Sequence, residues 1–580
     1  MEAIQYDNDG SFRPAEPAPA RLMKGAEIAV RTLEQLGVET VFAYPGGSAI
    51  EFHQALADSS IRVVLPRHEQ GGAFAANGYA RASGRVGVCM ATSGPGATNL
   101  LTGVADAYMD SIPMVIITVQ VESGLIGKNA FQETDIIGMS RPIVKHSRLV
   151  LHAGEIAPVL VEAFRLARCG RPGPVWIDIP KDIQQQISAF RFDDHPEPRR
   201  EKLPPPVAAE RIAEIREAIR RSERPCIVAG GGVIAAGASE ELFRFADSYR
   251  IPVATTLMGI GSFPETHPLS LKWLGMHGSY YANYAVNECD LLLVLGARFA
   301  DRSTGRADRF AEHAFIVHID IDESEINKNV RAGLGLAADV KEALALLNRE
   351  PFDTGCGAWL ETIAGWKREQ PFRYRREPGR LKGQQVVEAL SRLCGEEAIF
   401  VPGVGQHQMW TAQFGTYTRP RRLLTSGGLG AMGFGLPAAV GAKLALPEAT
   451  VVNIDGDGSF QMNIQELGTV STEGIGIKMV ILNNQHLGMV AQLEDRFFGS
   501  RRGNTDLRVG GGRPFPDFVG IARSYGIPGR DVYDAAELED AIREMLETPG
   551  PFLLDCHTVY QDHVLPMIPG GKTCRDIMTE

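Results

Sequence analysis

Short apolar runs alternate along the chain with longer stretches patterned like amphipathic helices. Examples are VGVCMA at 86–91, PMVIITVQV at 113–121, TVVN at 450–453 and KMVILNN at 478–484. Most are bounded by Gly, Pro, Asn or Asp. Runs this short and this apolar read as strands buried on both faces, and their alternation with helical patterns reads as βαβ units. The fold class that follows is α/β, with doubly wound parallel sheets.

Two stretches break the rhythm. RFDDHPEPRREKLPPPVAAE at 191–210 and WKREQPFRYRREPGRLKG at 366–383 are charged, Pro-bearing and poor in large aliphatic residues. Read as linkers, they divide the chain into a tail at 1–22, domains at 23–190, 205–350 and 380–565, and a second tail at 566–580. The first and third domains share a unit. Strand, Gly-rich turn, helix and strand follow one another through VGVCMATSGPG…PMVIITVQV and through TVVNIDGDGS…IKMVILNN. An ancient duplication explains this, and so does the sameness of all doubly wound domains.

Composition narrows the classes. The apolar runs reach about nine residues, whereas a membrane-spanning helix needs about twenty. A net charge of −11 argues against nucleic acid. The eight cysteines are scattered without CxxC spacing, which argues against a disulfide framework or a zinc ribbon. The acidic, Pro/Ala-rich start lacks the apolar core of a secretory signal and the Arg/Ser bias of a transit peptide. The expectation is therefore a cytoplasmic chain with a disordered N-terminal tail.

Two further features carry chemistry. GDGS at 456–459 follows a strand and opens a helix, which gathers backbone N–H groups into an anion site. Asp457 adds a carboxylate there, and it would repel a bare phosphate. A divalent cation reconciles the two, and Mg²⁺ prefers hard oxygen ligands. The next strand ends on Asn483 and Asn484. Parallel strands of one βαβ unit finish side by side, so Asp457 and Asn484 meet at one cation.

GDG followed some thirty residues later by NN resembles the motif of thiamine-diphosphate enzymes. The resemblance implies Mg²⁺ on Asp457, Asn484 and the carbonyl of His486. It implies thiamine diphosphate on Val404, Gly405, Gln406, His407, Gly430, Met432, Gly458, Ser459 and Met489, with Met432 as the apolar wedge under the cofactor. Glu69, in LPRHEQGGAFAANGYAR, takes the position of the acid that hydrogen-bonds the aminopyrimidine and relays its proton. Read alone, Glu69 is also an ordinary first-turn helix residue. Since Glu69 and Asp457 fall in different domains, the resemblance implies an active site between subunits, in a homodimer or homotetramer.

The resemblance is greatest to the catalytic subunits of the acetohydroxyacid synthases. It rests on YPGGSAIEFHQAL, RHEQGGAFAANGYARASG, ATSGPGATNL, AFQET, RPGPVWIDIPKD, LGMHG, GARFADR, HIDIDESEI, NNQHLGMV and HVLPMIP. It implies a pyrimidine-binding first domain, an FAD-binding central domain and a diphosphate-binding third domain. FAD is expected on Arg171, Gly230, Gly231, Gly232, Thr256, Leu257, Met258, Met276, His277, Gly296, Arg298, Arg302, Asp320 and Asp339. From the residues themselves, IVAGGGVIAAG offers only a G-x-G-x-x-A turn, with no acid about twenty residues on.

The implied reaction is that of a transferase. Pyruvate is decarboxylated, and the hydroxyethyl unit passes to a second 2-ketoacid, giving 2-acetolactate for branched-chain amino acids. Gln132 and Lys181 fall on substrate positions. Members of the family also bind a small regulatory subunit, so such a partner is among the expectations. The alternative is a paralogue that ligates to another ketoacid or an aldehyde. Val119, Glu122, Phe131 and Leu493 map to the substrate channel, and this chain departs from the family at three of them. Leu493 replaces a Trp, and VQVE at 119–122 replaces GQVP. A smaller residue at 493 implies weak preference for 2-ketobutyrate.

Overall fold

The computed structural model describes residues 21–191, 207–509 and 515–580. Residues 1–20 of the expected tail and most of the first expected linker lie outside the described residues. Three parallel sheets form the body. In the first, the strands lie in the order Arg62–Val64, Thr40–Ala43, Gly87–Ala91, Met114–Gln120, Pro174–Pro180, His146–Leu149. The second runs Ser270–Trp273, Val253–Thr255, Pro225–Ala229, Leu291–Leu295, Phe315–Asp320, Leu334–Ala337. The third runs Ile399–Pro402, Val451–Gly456, Lys478–Asn483, Phe552–His557, Gly529–Val532.

The central strands explain the sequence pattern. Met114–Gln120, Pro174–Pro180 and Lys478–Asn483 are buried at every position. Helices cover both faces, so neither face can be polar. Each sheet therefore packs an apolar core on each side. One of these cores is shared: Phe74, Ile116, Phe434 and Ile481 belong to a single apolar cluster joining the first and third sheets.

The seam of that shared core is the helix Glu69–Ser83 lying on the helix Gly435–Ala445. A Cβ at Gly78 would overlap the carbonyl of Ala438, and one at Gly441 would overlap that of Ala75. Only glycine lets the two backbones come this close. Buried charge completes the seam. Arg81 pairs with Asp106 at 3.1 Å and Asp110 at 2.8 Å. Those two acids in turn hold the Gly-rich loop of the third sheet, Asp106 through the Ser426 hydroxyl and Asp110 through the N–H groups of Gly427 (2.9 Å) and Gly428 (2.7 Å).

Three expectations are corrected. Arg21 and Leu22 are not tail: the strand Arg21–Lys24 pairs antiparallel with Ile187–Phe190. Residues 366–369 are not linker but the end of the helix Gly357–Glu369, where Trp366 packs edge-on to Trp359. Residues 566–580 are not a loose tail. Met567 and Met578 pair through their backbones, the Ile568 N–H reaches the Met276 carbonyl, and Met567 and Cys574 are buried. Two of these contacts, with Ile187–Phe190 and with Met276, are made with segments remote in sequence, so local composition does not register them. Among the described residues, no helix is long and apolar enough to cross a membrane.

Candidate active site

Strand register brings the expected ion ligands together. Gly456 pairs with Leu482, so Asp457 stands level with Asn483 and one residue short of Asn484. Asp457 then starts the short helix Asp457–Gln461. Its carboxylate is 2% exposed, and its Oδ2 has no hydrogen-bond partner. Burial pushes the carboxyl up to about 7, against the pull of the Gly458 and Gln485 N–H groups. Gln485 adopts φ +60°, which turns the chain sharply after Asn484. The Asn484 side chain donates to Gln406 Oε1 at 3.1 Å, and its Oδ1 accepts from the His486 N–H at 3.3 Å. A buried orphan carboxylate oxygen beside an amide oxygen is the donor set that Mg²⁺ takes.

Around this point the loops converge. The Ser459 hydroxyl accepts from the N–H of Gly433 (3.1 Å) and of Val404 (3.5 Å). Gly405 precedes the helix Gln406–Phe414. His407 Nε2 lies 3.4 Å from Asp455 Oδ1. A Cβ on Gly458 would meet Leu487 and stand near Met432. Glu69 begins its helix in the first domain, and its Oε2 accepts from Asn99 at 2.9 Å. Its neighbour Gln70 receives the Asn463 amide at 3.3 Å, and the same amide reaches the Gly433 carbonyl at 2.8 Å. The resemblance assigns these halves to different subunits, but in the structure they meet within one chain.

A cavity of ≈1860 Å³ opens between the three domains. Val404, Gly405, Gly430, Met432, Met489 and Leu493 line it from the third domain. Met489 and Leu493 lie four residues apart on the helix Gly488–Phe497, so they share a face. Gly231, Gly232, Thr256, Leu257, Met258, Met276, His277, Gly296, Arg298, Arg302, Asp320 and Asp339 line it from the central domain, and Arg171 from the first. A Cβ at Gly232 would press on Gly296, which leaves a bare backbone cradle there. Arg171 is held by Glu325 at 2.7 Å and Asp322 at 3.2 Å. Burial holds His277 down to about 4, so its ring is neutral at pH 7. Asp339 instead caps the helix Val340–Leu347 through the Lys341 N–H. Gly230 is not in the wall; it sits against Gly296.

The expected substrate residues divide. Gln132, at φ +61°, packs on Gly94 in the SGPG turn. Phe131 is 89% exposed beside it, and Glu122 is exposed at the end of the same sheet. Lys181 starts the helix Lys181–Gln185. None of these four lines the cavity. Val119 is corrected: it is 1% exposed and packs with Val115, Ile117 and Ile179 in the core. Its strand is buried at all seven positions, and none of its residues lines the cavity.

Other residues were not singled out from sequence. Glu466 is buried, accepts from the Arg67 and His68 N–H groups, and is pushed up to about 7 by burial. Asp106, driven up to about 6 by burial, anchors the seam with Arg81 and Asp110. The only trace of that network in the sequence is the spacing of Asp106 and Asp110, four apart along one helix.

Comparison with known proteins agrees with this geometry. Residues 23–139 match the thiamine pyrophosphate enzyme N-terminal TPP binding domain, 212–347 the central domain, and 403–556 the C-terminal TPP binding domain. Thiamine pyrophosphate is thiamine diphosphate under its other name. Acetolactate synthase 3, chloroplastic, of Brassica napus is 50% identical over 97% of this chain and 88% of its own length. Acetolactate synthase 1, chloroplastic, of Zea mays is 51% identical over 97% of this chain and 90% of its own. The same-named protein of Oryza sativa subsp. japonica is 52% identical over 97% and 89%. The cytoplasmic expectation is overturned by these names, each of which describes its protein as chloroplastic. That expectation rested on a missing signal, and a missing signal carries no address. The chain belongs to the thiamine pyrophosphate enzymes and, among them, to the acetolactate synthase family.

Proposed function

We propose that the protein makes 2-acetolactate, decarboxylating pyruvate and joining the remaining two carbons to a second 2-ketoacid. When bound, thiamine diphosphate supplies the carbanion chemistry. The chain's own residues bind, orient and move a proton. Asp457, Asn484 and the His486 carbonyl hold Mg²⁺. The backbone from Val404 to His407, with Gly458 and Ser459, receives the diphosphate. Met432 would supply the apolar wedge against the cofactor. Glu69 hydrogen-bonds the pyrimidine, and Asn99 fixes the orientation of that carboxylate. One observation carries the reading: the buried, unpartnered Asp457 oxygen at the point where GDG and NN meet.

FAD would take the central-domain side of the cavity, held by the bare backbone at Gly231, Gly232 and Gly296 and by the Arg171 and Arg298 guanidiniums. Gln132 and Lys181 steer the anionic ketoacid. Met489 and Leu493 form the apolar wall against the acceptor. The working unit is an oligomer, a homodimer or homotetramer. The exposed apolar residues around Gln132, Phe131 and Met139 among them, support a partner surface there.

The test is product formation by the purified protein with thiamine diphosphate, Mg²⁺ and FAD. Pyruvate alone is expected to yield acetolactate. Pyruvate consumed without acetolactate would overturn the acceptor half of the reading, and pyruvate left untouched would overturn the whole.

A further inference from the structure

At the Gly529–Val532 edge of the third sheet, three side chains converge outside the machinery just described. Asp531 and Asp555 are register partners on neighbouring parallel strands, so their side chains share a face. His557 lies two residues beyond Asp555 and shares that face too. Its Nε2 is 2.9 Å from Asp531 Oδ1 and 3.5 Å from Asp555 Oδ2. Among the described residues, this is the only group of three His, Cys, Asp or Glu whose ligand atoms all lie within 4.8 Å of one another.

We propose that Asp531, Asp555 and His557 form a second divalent-cation site, which takes a first-row transition ion of the Zn²⁺ type. Asp555 is 1% exposed and its Oδ1 has no hydrogen-bond partner, although Oδ2 accepts from Asn483 at 3.1 Å. A carboxylate so buried is costly unless a positive charge faces it. Burial pushes the group up to about 7, with Asp531 and Asp457 pushing the same way, while His557 and Asn483 oppose.

The donor set decides the metal. An imidazole nitrogen with two carboxylates suits Zn²⁺ or Co²⁺, whereas Mg²⁺ favours oxygen alone. Ligand atoms around such an ion sit about 2.0–2.2 Å from it, so neighbours are roughly 3–3.5 Å apart. The His557 contacts already span that range. The Tyr533 ring lies parallel to the imidazole at 4.1 Å and fixes its orientation. Asp531 and His557 are partly exposed, which gives the ion an entry path. Three protein ligands leave room for water, which makes this an open site. Asn483 links it to the strand end that bears Asn484.

The experiment uses the full chain, saturated with thiamine diphosphate and Mg²⁺. CoCl₂ is titrated and visible absorption recorded, and ZnCl₂ is titrated by calorimetry. One equivalent of Co²⁺ with ligand-field bands is expected, displaced by Zn²⁺. Asp531→Asn and His557→Gln should each weaken uptake by roughly tenfold or more. Asp531 is half-exposed on an edge strand, so Asp531→Asn should keep the native circular dichroism. Since neither residue belongs to the proposed catalytic set, acetolactate formation should persist in both variants. No uptake beyond the Mg²⁺ site, or uptake equal in wild type and Asp531→Asn, would overturn the proposal; the second result would mean adventitious binding elsewhere.

Discussion

The Gly-rich turns of the first and third sheets are built alike and do different work. Each follows a buried strand and opens a broken helix. The first runs Pro95–Asn99 and then Leu101–Met109; the third runs Asp457–Gln461, a single 3₁₀ turn, and then Leu467–Thr472. In the first turn Ser93 bonds Ser48 at 3.1 Å, and the buried atom without a partner is the Thr92 hydroxyl. In the third it is a carboxylate oxygen of Asp457. A neutral hydroxyl left unpaired costs little beside a charge. The shared scaffold therefore does not mark a cation site, and the charged orphan is what the proposed Mg²⁺ site rests on.

The sharpest break of this comparison is a pair of substitutions. Asp457→Ala should abolish Mg²⁺-dependent cofactor binding and lower acetolactate formation by about a thousandfold or more, while Ser93→Ala should cost a few-fold at most. Calorimetric titration of the cofactor and steady-state rates would check both. Equal losses would erase the contrast.

Next in size is the acid that the first domain contributes. Glu69→Gln should reduce kcat by roughly 10²–10⁴, with cofactor affinity far less affected, because only the proton relay is removed.

The seam between the two regions is a matter of stability. Asp106→Ala leaves buried Arg81 with Asp110 as its one remaining carboxylate and unpairs the Ser426 hydroxyl, and should destabilise the fold by about 2–3 kcal/mol, read from urea unfolding.

The charged turn should also answer to pH, and the neutral one should not. The Asp457 carboxyl stands near 7, above its ordinary value. Protonation therefore favours the metal-free fold, and that stability is lost as pH rises through about 7. Mg²⁺ requires the deprotonated form. Its affinity should fall about tenfold per pH unit below 7 and level off above. Calorimetry in buffers of different ionisation enthalpy would count the released proton.

The smallest effect concerns the cavity wall. Leu493→Trp should raise the share of acetohydroxybutyrate from mixed pyruvate and 2-ketobutyrate by about 1–3 kcal/mol of discrimination. An unchanged product ratio would remove Leu493 from acceptor choice.

What the sequence made legible was whatever depends on neighbours in the chain. The strands 114–120 and 478–483 read as buried because they are apolar at nearly every position. The meeting of Asp457 and Asn484 could be argued because a βαβ unit fixes which strand ends lie together. Val119 was misread for the complementary reason: the resemblance gave it a role, but its side chain packs with Val115, Ile117 and Ile179 in the first sheet's core, outside the cavity wall. The Asp106–Arg81 network and the Asp531–Asp555–His557 cluster depend on helix packing and on strand register between distant segments. The strand Arg21–Lys24 takes its ladder from Ile187–Phe190, some 160 residues away.

The packed C-terminal segment has a practical side. Gln492, on the helix that carries Met489 and Leu493, donates to the Val564 carbonyl and accepts the Val564 N–H. Ile568 holds Met276, Lys572 holds Arg306, and Arg496 reaches the carbonyl of Glu580. The last residues thus buckle one wall of the cavity to the other. An affinity handle fused behind Glu580 would pull on that buckle, so a handle meant to leave the cavity walls undisturbed belongs at the opposite terminus.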